Sequence, residues 1–81
     1  MEKLEEFISK FKELYPKEQF SPIMEDWRGY WVMAKTNYYD LSLENEIIVL
    51  EVDGVKTKHP NLTPEMAGTV LDALLTESWK Y

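Results

Sequence analysis

The chain contains no cysteine among its 81 residues. Disulfide staples and cysteine zinc sites are therefore excluded, and folding must rest on an apolar core, alone or with a subunit interface. A single histidine, His59, precedes Pro60. A zinc site would need several carboxylates to converge on it, and any Ser/His/Asp set would have to be built around it. Neither is signalled: Ser9, Ser21, Ser42 and Ser78 sit in no nucleophile elbow. The three glycines, Gly29, Gly54 and Gly68, lie far apart, so there is no glycine-rich phosphate cradle. One arginine, Arg28, leaves little capacity for bidentate phosphate binding. No apolar run approaches the length of a membrane span, and the first six residues lack the apolar stretch of a secretory signal. These absences predict a cytoplasmic protein that is not an enzyme, carries no metal or cofactor, and does not act at membranes.

What is present is acid and aromatic. Fifteen acidic and nine basic residues give a net charge of −6. That balance argues against direct contact with DNA or RNA backbones, which are bound through Lys and Arg. Hydrophobic residues make up 44% of the chain and aromatics 14%, enough for one small domain spanning residues 1–81.

Periodicity predicts the elements. Leu4, Phe7, Ile8, Phe11, Leu14 and Tyr15 recur at three- and four-residue spacing, so a helix is expected over 2–15, ended by Pro16. Residues 16–27 hold two prolines and read as a connector, with a helical turn expected after Ser21-Pro22. Strands are expected at about 29–36, 38–43, 46–52 and 55–59. Asp53-Gly54 between apolar runs signals a type I′ hairpin turn. That turn pairs Val52 with Val55, Glu51 with Lys56 and Leu50 with Thr57, and so puts Ile48, Leu50 and Val52 on the core face. A second tight turn at Glu44-Asn45 places Tyr39, Leu41 and Leu43 on the same face. A last helix is expected over 64–79, with Thr63 as cap and Pro64 at its first position; Gly68 inside it marks either a close approach to the sheet or a tolerated accident. The predicted fold class is α+β: helix, antiparallel meander of three to four strands, helix, with both helices on one face of the sheet. Helices on both faces are the alternative.

Two features point towards function. Trp27, Tyr30, Trp31, Tyr38 and Tyr39 concentrate five large aromatics in a short stretch, and Trp and Tyr suit interfaces. With the helices on one face, Trp31, Met33, Tyr38, Ile47 and Val49 form an apolar patch on the other. Acid is also segregated. Asp40, Glu44, Glu46, Glu51 and Asp53 follow one another without a base, and so do Glu65, Asp72 and Glu77. The hairpin tips and the last helix are therefore expected to form a negative surface, which either only keeps the protein in solution or steers a basic partner.

The functional expectation is a non-enzymatic binding protein that engages another, basic protein. The candidate contact residues are Trp27, Trp31, Tyr38, Asp40, Glu44, Glu46, Ile47, Val49 and Asp53. In length, acidity and lack of catalytic groups the chain resembles, by type alone, small phage- or plasmid-encoded inhibitors and immunity proteins that act on nucleic-acid-handling partners. Two alternatives stand beside this. Trp27, Tyr30, Trp31 and Tyr38 would stack on a nucleotide or other planar ligand, with Arg28 and Lys35 on a phosphate. Or the outer sheet face is a homodimer interface.

Overall fold

The structure, a computed structural model, describes residues 2–77. The elements run α1 (Glu2–Leu14), β1 (Met24–Asp26), β2 (Gly29–Ala34), β3 (Tyr39–Glu44), β4 (Ile47–Val52), β5 (Val55–His59) and α2 (Pro64–Glu77). The five strands form one antiparallel sheet in chain order, a pure meander. The α+β class and the helix–meander–helix order are as the periodicity predicts, with one strand more. The predicted end of the last helix, residues 78 and 79, lies outside the described residues.

Strand alternation sorts the sheet into two faces. Val32, Ala34, Tyr39, Leu41, Leu43, Ile48, Leu50 and Val52 are buried on one, in a single cluster with Leu4, Phe7 and Phe11 of α1 and Ala67 and Leu71 of α2. Both helices therefore cover the same face. Edge-to-face aromatic contacts knit the layers: Phe7 to Phe11 at 6.3 Å, Phe11 to Tyr39 at 5.9 Å, and Phe20 to Tyr39 at 6.2 Å between centroids. Gly68 faces the other helix rather than the sheet. A Cβ built there would meet the Leu14 side chain of α1, which would have to turn aside.

After a turn at 16–17, closed by the Glu18 N–H on the Tyr15 carbonyl, the connector is extended, with no helical turn after Ser21-Pro22. Ser21 N–H donates to the Met33 carbonyl, Lys35 N–H donates to the Gln19 carbonyl, and Phe20 bridges Ala34. Further on, Met24 pairs with Trp31. Three residues, 21–23, thus oppose two, Val32 and Met33, which is a β-bulge. Pro22 sits where no ladder donor is required, and Ser21 Oγ accepts the Met33 N–H. The bulge lets both Phe20 and Ile23 pack on the core.

The turns set the register. Asp53 and Gly54 have φ of 53° and 80°, and Val52–Val55, Glu51–Lys56 and Leu50–Thr57 pair as the Asp-Gly turn predicts. The β3–β4 turn is Asn45-Glu46, with φ of 51° and 64°, rather than Glu44-Asn45. The pairing shifts by two residues, so Leu43 meets Ile48 and Leu41 meets Leu50. An even shift preserves the face, so the core assignment is unaffected.

Candidate functional site

Among the described residues, no element covers the face away from the helices. Three rows of paired residues cross it. One runs Met24, Trp31, Ser42, Val49, Lys58; the second Asp26, Gly29, Glu44, Ile47; the third Met33, Asp40, Glu51, Lys56. The central strand β3 thus presents Asp40, Ser42 and Glu44 outward. Glu51 stands directly across from Asp40, a like-charge pair that opposes sheet stability. The Asp40 carboxyl titrates above its ordinary range, first because it is partly desolvated and second because of Glu51, with Lys56 acting in the opposite sense. Among the described residues, the ion pairs are Arg28–Asp26 and Lys10–Glu13, so Asp40, Glu44 and Glu51 have no cation within 4.0 Å.

The β1–β2 hairpin tip borders this face. Arg28 N–H donates to Asp26 Oδ1 at 2.8 Å, and Arg28 Nε and Nη2 donate to Asp26 Oδ2 at 3.2 and 2.8 Å. This fork holds the Asp26 carboxyl below its ordinary range. Gly29 completes the turn with φ of 146°, where a Cβ would strike the Leu43 carbonyl oxygen at 2.1 Å. Trp27 is 91% exposed on this tip. The Arg28 guanidinium carbon lies 5.6 Å from the centre of its ring. Beside the tip, Arg28, Trp31, Asp40, Ser42, Glu51 and Lys56 line a recess of about 170 Å3.

The predicted contact residues divide among three places. Trp31, Asp40, Glu44, Ile47 and Val49 lie on the uncovered face. Trp27 and Glu46 occupy turns at one end of the strands, Tyr38 and Asp53 turns at the other. Two of them are corrected. Val49 is only 2% exposed, so it offers a partner no surface. Tyr38 does not point outward from a strand. It ends the β2–β3 loop with φ of 56° and is 80% exposed. The apolar patch is accordingly smaller and more acidic than expected. Acid is also split between layers: Glu2, Glu5, Glu6, Glu13 and Glu65 line a groove on the helical side, opposite Asp40, Glu44 and Glu51. The aromatic box for a planar ligand is not assembled. Tyr30 packs on the core, Trp31 faces outward, and Trp27 and Tyr38 sit at opposite ends of β2, as do Arg28 and Lys35.

Sequence reasoning missed Met24, Asp26 and Ser42 as parts of the face. A signal for the tip was present, since Asp at the first and Gly at the fourth position mark a type I turn. It also missed Glu18, which is 5% exposed. Its Oε2 accepts N–H bonds from Gln19 and Thr36 at 3.0 and 2.7 Å. Its Oε1 accepts from the Asn37 N–H and Nδ2 at 3.0 and 2.8 Å. This carboxylate ties the β2–β3 loop to the end of α1.

His59, at the end of β5, has its titration pushed below the ordinary range by burial, and its Nε2 lies 2.7 Å from Thr57 Oγ1. Among the described residues, no three His, Cys, Asp or Glu side chains converge as a metal site. No helix there is long and apolar enough to cross a membrane. Comparison with protein-family models, curated proteins and solved structures returns no match for the chain.

Proposed function

We propose that the chain is a non-enzymatic, cytoplasmic binding protein whose uncovered sheet face docks a protein partner rich in basic side chains. The observation that carries this is the outward row of the central strand. Asp40, Ser42 and Glu44 occupy the middle of the sheet, where a sheet built to pack on another sheet would place apolar residues. Lys56 offsets Asp40, and Arg28 offsets Glu44, only from beyond ion-pair distance, and a partner bringing cations would pair with these acids directly. Trp31 and Met33 supply apolar contact beside them, and Trp27 projects from the rim as an anchor. Inhibition of a basic, nucleic-acid-handling protein is the sharpest form of this role.

The same row weighs against a second copy as the partner. In any face-to-face two-fold packing centred on the sheet, β3 lies over β3. Asp40 and Glu44 of the two copies would then be brought together, and β3 itself carries no cation to offset them.

Affinity capture from the native cell tests the role, using wild-type protein, the face variant Asp40→Asn/Glu44→Gln and the helical-groove variant Glu5→Gln/Glu6→Gln. A partner held by the wild type and the groove variant, lost by the face variant and eluted by moderate salt, is the expected result. A partner retained equally by all three, or insensitive to salt, overturns the assignment.

A further inference from the structure

The hairpin tip shows how this surface holds a guanidinium. Arg28 lies against the Trp27 ring at 5.6 Å and is forked on the Asp26 carboxylate at 2.8 Å. An aromatic face and a carboxylate are the two groups a guanidinium uses best, because it is planar, weakly hydrated and able to donate in parallel.

The adjoining recess also sets an indole beside carboxylates. Trp31 forms a wall, Asp40 and Glu51 stand across from each other, and the Ser42 hydroxyl lies between Trp31 and Val49 in its row. Two cations also line it. Arg28 is committed to Asp26. Lys56 is exposed and is not within ion-pair distance of Glu51 or Asp40. The Asp40–Glu51 repulsion is a cost that the fold carries and that a bound cation would remove.

We infer that the Trp31–Asp40–Glu51 recess receives one arginine side chain of the protein partner, stacked on the indole and shared between the two carboxylates. This rests on the role proposed above and adds the identity of the recognised group. Arginine is favoured over lysine because an ammonium is a compact, strongly hydrated point charge that gains less from an indole face and cannot fork. The inference commits to a side chain rather than a free small molecule, since the recess lies on a face where Met33, and on its rim Trp27, are exposed for a larger partner to contact.

Titration of the 15N-labelled chain with blocked Gly-Arg-Gly, Gly-Lys-Gly and Gly-citrulline-Gly peptides tests it by amide and indole chemical shifts. The arginine peptide is expected to move the Trp31 indole N–H and the Asp40, Ser42 and Glu51 amides, binding about fivefold or more tighter than the lysine peptide. The citrulline peptide, planar but uncharged, should leave these signals in place. Asp40→Asn and Glu51→Gln, both outward-facing and close in shape to the native residues, should each weaken the arginine titration by about tenfold. If arginine and lysine move the same face signals with equal affinity, the arginine recess is wrong while the basic-partner face stands. If neither moves that face, or shifts appear only at Glu2, Glu5, Glu6, Glu13 and Glu65, both are overturned.

Discussion

Removing the Glu18 carboxylate should destabilise the whole domain, although the residue lies in a connector. Four donors converge on it: three backbone N–H groups and the Asn37 side-chain amide, at 2.7 to 3.0 Å. Hydrogen bonds to a charged group contribute about 1.5–3 kcal/mol each, and a stranded donor costs about 1–3 kcal/mol. Simple addition overshoots, because the four share one carboxylate and water reaches half-buried donors. About 3 kcal/mol is the expected loss for Glu18→Ala. Against roughly 4–12 kcal/mol for a chain of this size, that is a large share. It corresponds to a fall in Tm of about 12–24 °C. Glu18→Gln should also destabilise, because its amide group turns a donor towards donors. Circular dichroism melts measure the shift, and amide exchange at Thr36 and Asn37 localises it. A fall in Tm below about 4 °C for Glu18→Ala, or unchanged protection at those two amides, would refute the reasoning.

Other substitutions probe other parts of the same frame. Gly29→Ala forces a Cβ into the Leu43 carbonyl at a φ of 146° and should cost more than about 2 kcal/mol in a urea titration. A loss below about 0.5 kcal/mol would show that the β1–β2 tip is not held as described. Tyr39→Phe removes a hydroxyl that is buried with no hydrogen-bond partner among the described residues, and whose ionisation burial and Glu18 both oppose. It should leave stability unchanged or raise it by about 1 kcal/mol, and a clear loss in the urea midpoint contradicts that. Asp40→Asn should raise Tm at pH 7. A carboxyl whose folded pKa is raised binds its proton more readily in the folded state, so its ionisation weakens the fold as pH rises through and above the ordinary carboxylate range. The gain should therefore shrink as pH falls through that range, and a constant gain across a pH series of melts would exclude this cause.

Much of the frame was legible because short-range chemistry dictates it. Asp53-Gly54 can adopt two positive φ values cheaply, and that one turn propagates a register along β4 and β5. The β3–β4 turn was displaced by one residue because Glu46, a poor candidate for positive φ, takes the second turn position. The core face survived the displacement because side chains alternate with a period of two. β1 was invisible for a different reason. Met-Glu-Asp carries no strand preference of its own and is extended because β2 pairs with it. The anchoring of Thr36 and Asn37 and the packing of Gly68 on Leu14 depend on groups far away in sequence, Glu18 and α1 respectively. The site shows the same division. Alternation placed Trp31 and Asp40 on the open face, but only the assembled sheet reveals that Val49 is sealed and that Arg28 is already occupied.

The bulge at residues 21–23 gives the chain a residue to spare at that point. Phe20 faces the helices opposite Ala34, and Met24 faces outward opposite Trp31. Only Val32 and Met33 separate those pairs on β2, so two residues between Phe20 and Met24 suffice and the third is taken up by the bulge. Losing one residue of 21–23 would make the strand regular while leaving Met24 opposite Trp31 and Asp26 beside Arg28. Losing two would reverse the faces of Met24 and Asp26 and turn a carboxylate made for the open face towards the helices. The turns at 45–46 and 53–54 are short and exposed. Natural variants of this chain should differ in length at those tips or by one residue at the bulge, and keep the spacing between Met24 and Gly29 constant.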